Sequence, residues 1–305
     1  MLRVLITDGL ERESINKLEN LGFDVVLRHY NIEELGEALL EFDALVVRSE
    51  TKINNVVLDK KRQGKLKLIV RAGVGTDNID VKLAESLGIT VKNTPDSSTN
   101  SVAELAMAHI FSVARFLGSS NYTMRKGEWN KKKYKGVEIL GKTLGIVGIG
   151  RIGIALAKKA ESLGMKIIYN DLCGKINTIN YEYYEIDELL KLSDFISLHV
   201  PYDKNKGCLI GKRELEIMKE GAFIINCARG KVVDEEALIE ALDSGKISGA
   251  GIDVFEIEPN INERLINHLR VSCSPHIGGF TIEAQERIGE EVVYIIQKFF
   301  NDKYC

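Results

Sequence analysis

The sequence predicts an α/β fold made of two doubly wound parallel-sheet domains. The chain has 305 residues, a length at which a single hydrophobic core usually splits in two. Short β-rich runs alternate with stretches of helical periodicity, which is the pattern of a parallel sheet covered by helices. The alternation occurs in two series, separated by about twenty residues of continuous helical periodicity at 98–117.

The first series begins with the first residues of the chain. Stretches of helical spacing lie between its β-rich runs, and Gly22 and Gly88 follow such stretches at positions typical of a left-handed C-cap. These runs predict the strands of one parallel sheet. Four belong to this series: RVLIT, DVVLR, DALVVR and LKLIVRAG.

The second series has six apolar runs, enough for a complete doubly wound sheet. They are KTLGIVGIG, MKIIYND, DFISLHV, GAFIINCARG, GAGIDVF and RVSCSPH. The amphipathic tail TIEAQERIGEEVVYIIQKFF is interpreted as a helix that returns to the first domain. We therefore expect one domain at 1–98 plus 280–305 and a second domain at 99–279.

Composition and charge argue against several classes of function. The formal net charge of −3 gives no overall basic surface for nucleic acid, and no apolar run approaches the roughly eighteen residues of a membrane span. We expect a cytoplasmic protein that binds no nucleic acid, membrane or metal. The five cysteines lack metal-ligand spacing: Cys173, Cys208, Cys227, Cys273 and Cys305.

The segment LGIVGIGRIG carries the spacing G-x-G-x-x-G at Gly148, Gly150 and Gly153. A strand pattern precedes the glycines and a helical pattern follows them, which is the context of a dinucleotide-binding turn. The diphosphate would lie at the positive end of that helix. Asp171 ends the next strand pattern, where a carboxylate can bind the ribose hydroxyls and repel a 2′-phosphate. The sequence therefore favours NAD over NADP.

Three polar segments that follow predicted strands could carry chemistry. They contain Arg229 in NCARG, Glu258 in DVFEIEP and His276 in CSPHIGG. A histidine is suited to take the hydroxyl proton of a 2-hydroxy acid near neutral pH, and a carboxylate can orient it. An arginine can hold the substrate carboxylate with two parallel hydrogen bonds. With a nicotinamide cofactor, the three residues form a coherent set for oxidising a 2-hydroxy acid.

In their order along the chain, the glycine motif, the acidic residue after it, HVP at 199–201, NCARG, GIDVFEIEP and SPHIGG resemble the D-isomer-specific 2-hydroxyacid dehydrogenases. The resemblance covers essentially the whole chain. It implies a flavodoxin-like substrate domain, a Rossmann-like NAD-binding domain and a catalytic triad of Arg229, Glu258 and His276. It also implies a homodimer formed through the cofactor domain, with YTMRKGEW in the interface. The implied cofactor contacts are Gly148, Gly150, Arg151, Ile152, Gly153, Asp171, His199, Val200, Pro201, Cys227, Ala228, Asp253 and Gly278.

Within that family the first domain is most similar to the D-3-phosphoglycerate dehydrogenases, through VVRSETKI, IVRAGVGTDNID and NTPDSSTNSVAELAMAHI. This similarity implies that the backbone of Gly73, Val74 and Gly75 faces the substrate carboxylate. It also implies that Arg48 and Arg71 bind a substrate phosphate, for which cations beyond Arg229 are needed. His276 and Arg229 complete the implied substrate contacts.

The sequence departs from the family pattern in two places. The chain ends after the return helix, so we expect no C-terminal regulatory domain and no serine feedback through one. Phe280 follows HIGG where a small residue is usual, and it could reshape the pocket beside His276.

Other functions remain open from the sequence. Glyoxylate or hydroxypyruvate reduction and D-lactate dehydrogenation use the same triad, but they leave Arg48 and Arg71 unexplained. From a different class, the fold also serves an NAD-sensing co-repressor or a dinucleotide-binding scaffold without catalysis. The leading hypothesis is the oxidation of D-3-phosphoglycerate to 3-phosphohydroxypyruvate, the first step of serine biosynthesis.

Overall fold

The computed structural model describes residues 1–59 and 64–304. The chain divides into two compact units. The first unit comprises Met1–Ser98 and Gly279–Cys305, and the second comprises Thr99–Gly278. Each contains a sheet of parallel strands with interleaved helices, so the predicted α/β class is confirmed.

The secondary structure alternates along both units. In chain order up to the end of the first sheet the elements are β1 (Arg3–Ile6), α1 (Arg12–Asn20), β2 (Asp24–Leu27), α2 (Ile32–Ala38), β3 (Ala44–Val47), β4 (Leu68–Arg71), α3 (Val81–Ser86) and β5 (Thr90–Asn93). Next come α4 (Thr99–Arg115), α5 (Leu117–Arg125), β6 (Thr143–Val147), α6 (Arg151–Ser162), β7 (Lys166–Asn170), β8 (Glu182–Tyr183), α7 (Ile186–Leu192) and β9 (Phe195–Leu198). The last are α8 (Lys212–Ile217), β10 (Ala222–Asn226), α9 (Glu235–Asp243), β11 (Ile247–Ile252), α10 (Glu263–Ile266), β12 (Val271–Cys273) and α11 (Ile282–Tyr304).

The sheet of the first unit has the strand order β2-β1-β3-β4-β5, and every pair in it is parallel. This is the flavodoxin-like order. Its two central strands β3 and β4 are almost entirely buried, which explains their continuous apolar sequences. The tail helix α11 places Ile288, Val292 and Ile296 in the same core cluster as Val4 and Val70. The fifth strand, β5, was not among the four runs identified from the sequence.

The sheet of the second unit has the order β12-β11-β10-β9-β6-β7-β8, again parallel throughout. This is the dinucleotide-binding order extended by one strand at the edge next to β11. The order reverses between β6 and β9, and ligands of such sheets bind beyond the carboxyl ends of the strands at that reversal. The two-residue strand β8 is a seventh strand, where the sequence predicted six.

The predicted helix at 98–117 is present as α4, but it ends at Arg115. Phe116 has a left-handed backbone, with φ of +54°, which stops the helix before α5 begins. Ala106, Ile110 and Val113 on one face of α4 are buried in a core cluster of the second unit. α4 therefore covers one face of the second sheet.

Among the described residues, no single helix is long and apolar enough to cross a membrane; α4 and α5 reach that criterion only as a pair, with a bend of 66° between them. The described cysteines are unpaired thiols, with Cys173, Cys208 and Cys273 exposed and Cys227 buried. Cys305 lies outside the described residues.

Candidate active site

The glycine motif forms a tight turn between β6 and α6. Gly148 has φ of +92°, and a Cβ there would lie 2.7 Å from the carbonyl oxygen of His199 and 2.9 Å from Cγ1 of Val200. Gly153, in the first turn of α6, packs so closely on the Gly148 carbonyl that a side chain would collide with it. A Cβ at Gly150 would meet nothing within 4 Å. The backbone of the turn is therefore packed against the 199–200 segment at Gly148, whereas at Gly150, the N-cap of α6, it faces open space.

Asp171 directly follows β7 and is bound to the glycine turn. Its Oδ2 accepts a hydrogen bond from Ile149 N–H at 3.0 Å, and its Oδ1 accepts one from Cys173 N–H at 2.9 Å. The carboxylate is therefore fixed beside the turn by backbone donors on both sides.

His199 follows β9, and its backbone N–H continues the sheet by donating to the Val147 carbonyl. Its Nε2 lies 2.9 Å from Ser197 Oγ. Burial lowers the pKa of His199 to about 4, so the ring is neutral at physiological pH. Nδ1 is buried and has no hydrogen-bond partner among the described residues. Val200 and the exposed Pro201 continue the chain past Gly148.

These features fit a dinucleotide. A diphosphate needs close approach to a glycine backbone at a helix N-terminus, and the space above Gly150 provides it. The adenosine ribose needs an acceptor at the end of the second strand, which Asp171 provides. Arg151 and Ile152 occupy the first two positions of α6, next to that space.

The loop after β10 carries Arg229 and is held by Asn226. The Asn226 side chain accepts from Ala228 N–H at 3.1 Å and donates to the Arg229 carbonyl at 2.9 Å. Gly230 lies against the Phe255 backbone so closely that any Cβ would collide with it. The segment that bears Arg229 is therefore packed on the segment that leads to Glu258.

Cys227 lies in the same loop but is chemically inert. It is buried, and burial together with the charge of Asp253 raises the pKa of its thiol far above the ordinary value. The thiol stays protonated at neutral pH, so Cys227 is not a reactive nucleophile. Its small side chain fits the buried space in this loop.

Glu258 and His276 are in direct contact. Glu258 Oε2 lies 2.8 Å from His276 Nδ1, and its Oε1 accepts a hydrogen bond from Phe255 N–H at 3.0 Å. Burial raises the pKa of Glu258, but the hydrogen bonds from His276 and Phe255 and the charge of Arg229 outweigh it, so the net pKa is below the usual value. Glu258 is an ionised partner of an imidazole that is 41% exposed.

The His276 backbone is held in a sparsely populated conformation. Its φ is +53°, and its N–H donates to the carbonyls of Asp253 and Ser274. The Asp253 carboxylate is 1% exposed and accepts hydrogen bonds from Ile277 N–H and Gly278 N–H, both at 2.9 Å. Asp253 thus anchors the turn on which His276 is mounted.

In the first unit, Arg48 directly follows β3 and is held through its backbone. Its N–H donates to Asp8 Oδ2 at 2.7 Å, and its carbonyl accepts from the Asn78 side chain at 2.8 Å. The Phe280 ring lies over its guanidinium, with Cζ 5.6 Å from the ring centroid. Burial lowers the pKa of Arg48, although the charge of Asp8 opposes it.

Arg71 ends β4, the strand next to β3, and is in register with Val47. Its Nη1 donates to the Ala72 carbonyl at 3.2 Å, and its guanidinium fills the space that a Cβ at Gly73 would need. Gly73 has φ of +146°, a backbone conformation that residues with side chains rarely adopt, so glycine is favoured here. Arg48 and Arg71 therefore emerge from the same edge of the first sheet.

The turn 73–75 is fixed by its carbonyl groups. The Gly73 carbonyl accepts from Thr94 N–H at 3.0 Å, and the Val74 carbonyl accepts from the Asn93 side chain at 2.6 Å. Gly73 is buried, Gly75 is partly buried and Val74 is exposed. The turn is held rigidly beyond the carboxyl ends of the strands.

Comparison with known proteins decides the family. Residues 107–278 match the model of the D-isomer specific 2-hydroxyacid dehydrogenase, NAD binding domain. The chain belongs to the D-isomer-specific 2-hydroxyacid dehydrogenase family. It is therefore an enzyme of the D-2-hydroxyacid dehydrogenase class, and its cofactor is NAD, as the glycine motif and Asp171 together predicted.

Named D-2-hydroxyacid dehydrogenase relatives differ in their substrates. The chain is 44% identical to the hydroxypyruvate reductase of Thermotoga maritima over 300 residues, which is 97% of each chain. It is also 44% identical to the D-3-phosphoglycerate dehydrogenase of Methanocaldococcus jannaschii over 302 residues, which is 98% of this chain and 57% of that one. The crystal structure of the Aquifex aeolicus D-lactate dehydrogenase with NAD and lactic acid superposes with a TM-score of 0.86, at 32% identity, covering 98% of this chain and 96% of that one.

Two residues that hold the loops of this candidate site in place were not identified from the sequence. Asn226 shapes the Arg229 loop, and its only signal is a polar residue at the end of an otherwise apolar strand. His109 on α4 has no local signal, because its partners lie more than 160 positions away. Ala228 and Gly278, in contrast, were named as cofactor contacts, and the structure places them in the Arg229 loop and the His276 turn.

Proposed function

We propose that this enzyme interconverts D-3-phosphoglycerate and 3-phosphohydroxypyruvate with NAD, the first step of serine biosynthesis. The observation that supports this substrate is the placement of Arg48 and Arg71 at the carboxyl ends of adjacent strands, beside the glycine turn 73–75. A phosphate carries more charge than one arginine neutralises, and paired guanidinium groups recognise it well.

In this proposal Arg229 binds the substrate carboxylate, because its planar guanidinium can form two parallel hydrogen bonds with it. Asn226 keeps the Arg229 backbone in place through two hydrogen bonds to the loop. These contacts fix the position of the reacting carbon before the chemical step.

His276 removes the hydroxyl proton through Nε2 when the hydroxy acid is oxidised, and returns it when the keto acid is reduced. Nδ1 faces Glu258, which leaves Nε2 as the nitrogen for the substrate. The ionised Glu258 stabilises the imidazolium formed in oxidation and fixes the ring orientation. When bound, NAD would supply the hydride acceptor for the substrate carbon that bears the hydroxyl group.

Hydroxypyruvate reduction is a second candidate. It is supported by the similarity to the Thermotoga maritima hydroxypyruvate reductase, which extends over 97% of both chains. The same triad serves both reactions, since the substrates differ only in the phosphate. Substitutions of Arg48 and Arg71, the proposed phosphate ligands, therefore distinguish the two candidate substrates.

We also propose a homodimer formed through the second unit. Six large apolar side chains are exposed in a short part of the chain after α4, more than single scattered residues would explain. They are Leu117, Tyr122, Met124, Trp129, Val137 and Leu140. Light scattering of the purified enzyme tests the assembly, and a monomeric mass would exclude it.

The substrate assignment is tested by NADH oxidation, followed by absorbance with purified enzyme. The keto acids 3-phosphohydroxypyruvate, hydroxypyruvate, glyoxylate and pyruvate are compared by kcat/KM. A preference for the phosphorylated acid supports the proposal. A preference for hydroxypyruvate or glyoxylate would replace the substrate but keep the triad. Tight NADH binding without oxidation by any acid would favour an NAD-sensing protein instead.

A further inference from the structure

One buried histidine outside the triad is connected to the His276 turn. His109, on the sheet-facing side of α4, is 4% exposed. Its Nδ1 lies 3.0 Å from Ser272 Oγ, and its Nε2 lies 2.9 Å from Ser274 Oγ. Ser274 in turn donates its hydroxyl hydrogen to Asp253 Oδ1 at 2.6 Å. We call these four residues, Ser272, His109, Ser274 and Asp253, the His109 chain.

The donor and acceptor of each hydrogen bond in the His109 chain can be assigned from the chemistry of its groups. An ionised carboxylate only accepts, so the single hydroxyl hydrogen of Ser274 is committed to Asp253. Ser274 Oγ must then accept from His109, which requires the hydrogen on Nε2. In the neutral ring Nδ1 carries no hydrogen and accepts from the Ser272 hydroxyl. Burial lowers the pKa of His109, which agrees with a neutral ring.

His109 cannot move away from this position. A Cβ at Gly251 would lie only 2.6 Å from the His109 Cβ, so the base of the side chain rests on the backbone of β11. The ring is thus held between the sheet and the two serines.

The last member of the His109 chain is the Asp253 carboxylate, which binds backbone or side-chain groups on both sides of His276. It binds Ser274 on one side and the N–H groups of Ile277 and Gly278 on the other. Because the His276 backbone lies in the left-handed region, the turn depends on these anchors to keep that conformation.

We propose that His109 is a positioning residue of the reaction: by donating from Nε2 to Ser274, it fixes the Ser274–Asp253 bond and with it the turn that presents His276. The inference rests on the proposed role of His276. Ser274 and Asp253 lie between His109 and the His276 turn, so His109 acts on the chemical step through these two residues. A displacement of His276 by even an ångström costs about a hundredfold in rate.

Three variants test the inference. His109→Leu fills the space but removes both hydrogen bonds, and kcat should fall by about tenfold to a hundredfold. Because Asp253 and Gly278 are also expected cofactor contacts, any loss of NADH affinity should be smaller than the loss of kcat. His109→Gln can place an amide N–H near Nε2 and should recover most of kcat. Ile110→Ala, on the same helix and fully buried, is the matched control. It should lower the melting temperature without changing kcat.

A spectroscopic measurement tests the hydrogen bonds of the His109 chain independently of enzyme activity. In ¹⁵N-labelled enzyme without ligands, His109 should show the neutral tautomer with hydrogen on Nε2. The amide signals of Ile277 and Gly278 should shift in His109→Leu but not in Ile110→Ala. A hydrogen on Nδ1, or unchanged amide signals, would overturn the inference.

The outcomes also separate this inference from the proposed function. If His276→Asn keeps full activity, the role of His276 is wrong whatever His109 does. If His276→Asn is inactive and His109→Leu keeps full kcat with only a lower melting temperature, His109 is a core residue and the inference fails.

Discussion

Glu258 holds His276 with one carboxylate oxygen and its own loop with the other. Oε2 lies 2.8 Å from His276 Nδ1, while Oε1 accepts from Phe255 N–H at 3.0 Å. The two bonds fix the carboxylate against rotation, so the orientation of the imidazole follows from the fold of the 253–258 segment. The charge of Arg229 also acts on this carboxylate, which links all three predicted catalytic residues.

Glu258→Gln should lower kcat in both directions. The amide carries no negative charge to stabilise the imidazolium formed in oxidation, and its oxygen is a weaker acceptor for Nδ1 than a carboxylate oxygen. kcat at neutral pH should fall by about a hundredfold, within the range for general acid–base groups.

The measurement is kcat against pH in both directions, with Glu263→Gln at the start of α10 as a surface control. Because Glu258 is ionised down to a pH below its ordinary 4.5, the parent enzyme should show no change from this carboxylate between pH 5 and 8. An unchanged kcat in Glu258→Gln would remove the residue from its role.

Asp171 should determine the preference for NAD over NADP. Asp171→Asn keeps the size of the side chain but removes the charge that repels a 2′-phosphate, so the affinity for NADPH should rise relative to NADH. Asp171→Ala should also weaken NADH binding, since the Ile149 and Cys173 N–H groups lose their acceptor. Both affinities are measured by NADH and NADPH fluorescence.

The matched control for this prediction is Asp203→Asn, in an exposed loop where the carboxylate accepts from Asn205 N–H. It should leave both affinities unchanged. Equal NADH preference in the parent and in Asp171→Asn would mean that another residue reads the ribose.

Arg48 should bind the phosphate group of a phosphorylated substrate, and the Phe280 ring should help to hold the Arg48 guanidinium in place. Arg48→Ala should raise KM for 3-phosphohydroxypyruvate far more than for hydroxypyruvate. Phe280→Ala removes only the ring over the guanidinium, an interaction of about 0.5–1 kcal/mol at an exposed site, so its effect should be a few-fold and in the same direction.

Arg28→Ala is the matched control, because Arg28 lies over the Tyr30 ring in the same unit at a comparable distance, 4.7 Å. It should not affect either substrate. Equal losses for both acids in Arg48→Ala would show that Arg48 does not bind phosphate, and the hydroxypyruvate candidate would then be favoured.

The sequence was sufficient wherever the signal is local. Strand, glycine turn and helix follow each other closely along the chain, at Thr143–Val147 and Arg151–Ser162, so this strand–turn–helix unit was predicted correctly. The strand β5 was missed because its sequence TVKN is short and half polar, and its strand character comes from pairing with β4. Contacts such as that between Ser272 and His109 join residues that are far apart in the sequence. They produce no periodic pattern from which they could be predicted.

Glu235, at the start of α9, provides a prediction about stability. Its Oε1 accepts from Glu256 N–H at 2.7 Å, and Glu256 Oε1 accepts from Glu235 N–H at 3.1 Å, so the two residues bind α9 to the loop that leads to Glu258. Burial raises the pKa of Glu235; the Glu256 N–H opposes that rise and the Glu256 charge adds to it. The ionised form at neutral pH is therefore less favourable in the folded protein than in the unfolded chain.

Glu235→Gln should stabilise the protein at neutral pH, because the glutamine oxygen can still accept from Glu256 N–H without a charge. A raised pKa means that the protonated form favours folding and that this contribution is lost as pH rises through the folded value. The gain of the variant over the parent should therefore be small below the ordinary 4.5 and full at pH 7. A gain of 1 kcal/mol would raise the melting temperature of a domain the size of the second unit, Thr99–Gly278, by about 2–4 °C. The neighbouring Glu236→Gln is the control: it loses an exposed ion pair with Arg264 and should be neutral or slightly destabilising. A Glu235→Gln gain that does not change with pH would show that ionisation of Glu235 is not the cause.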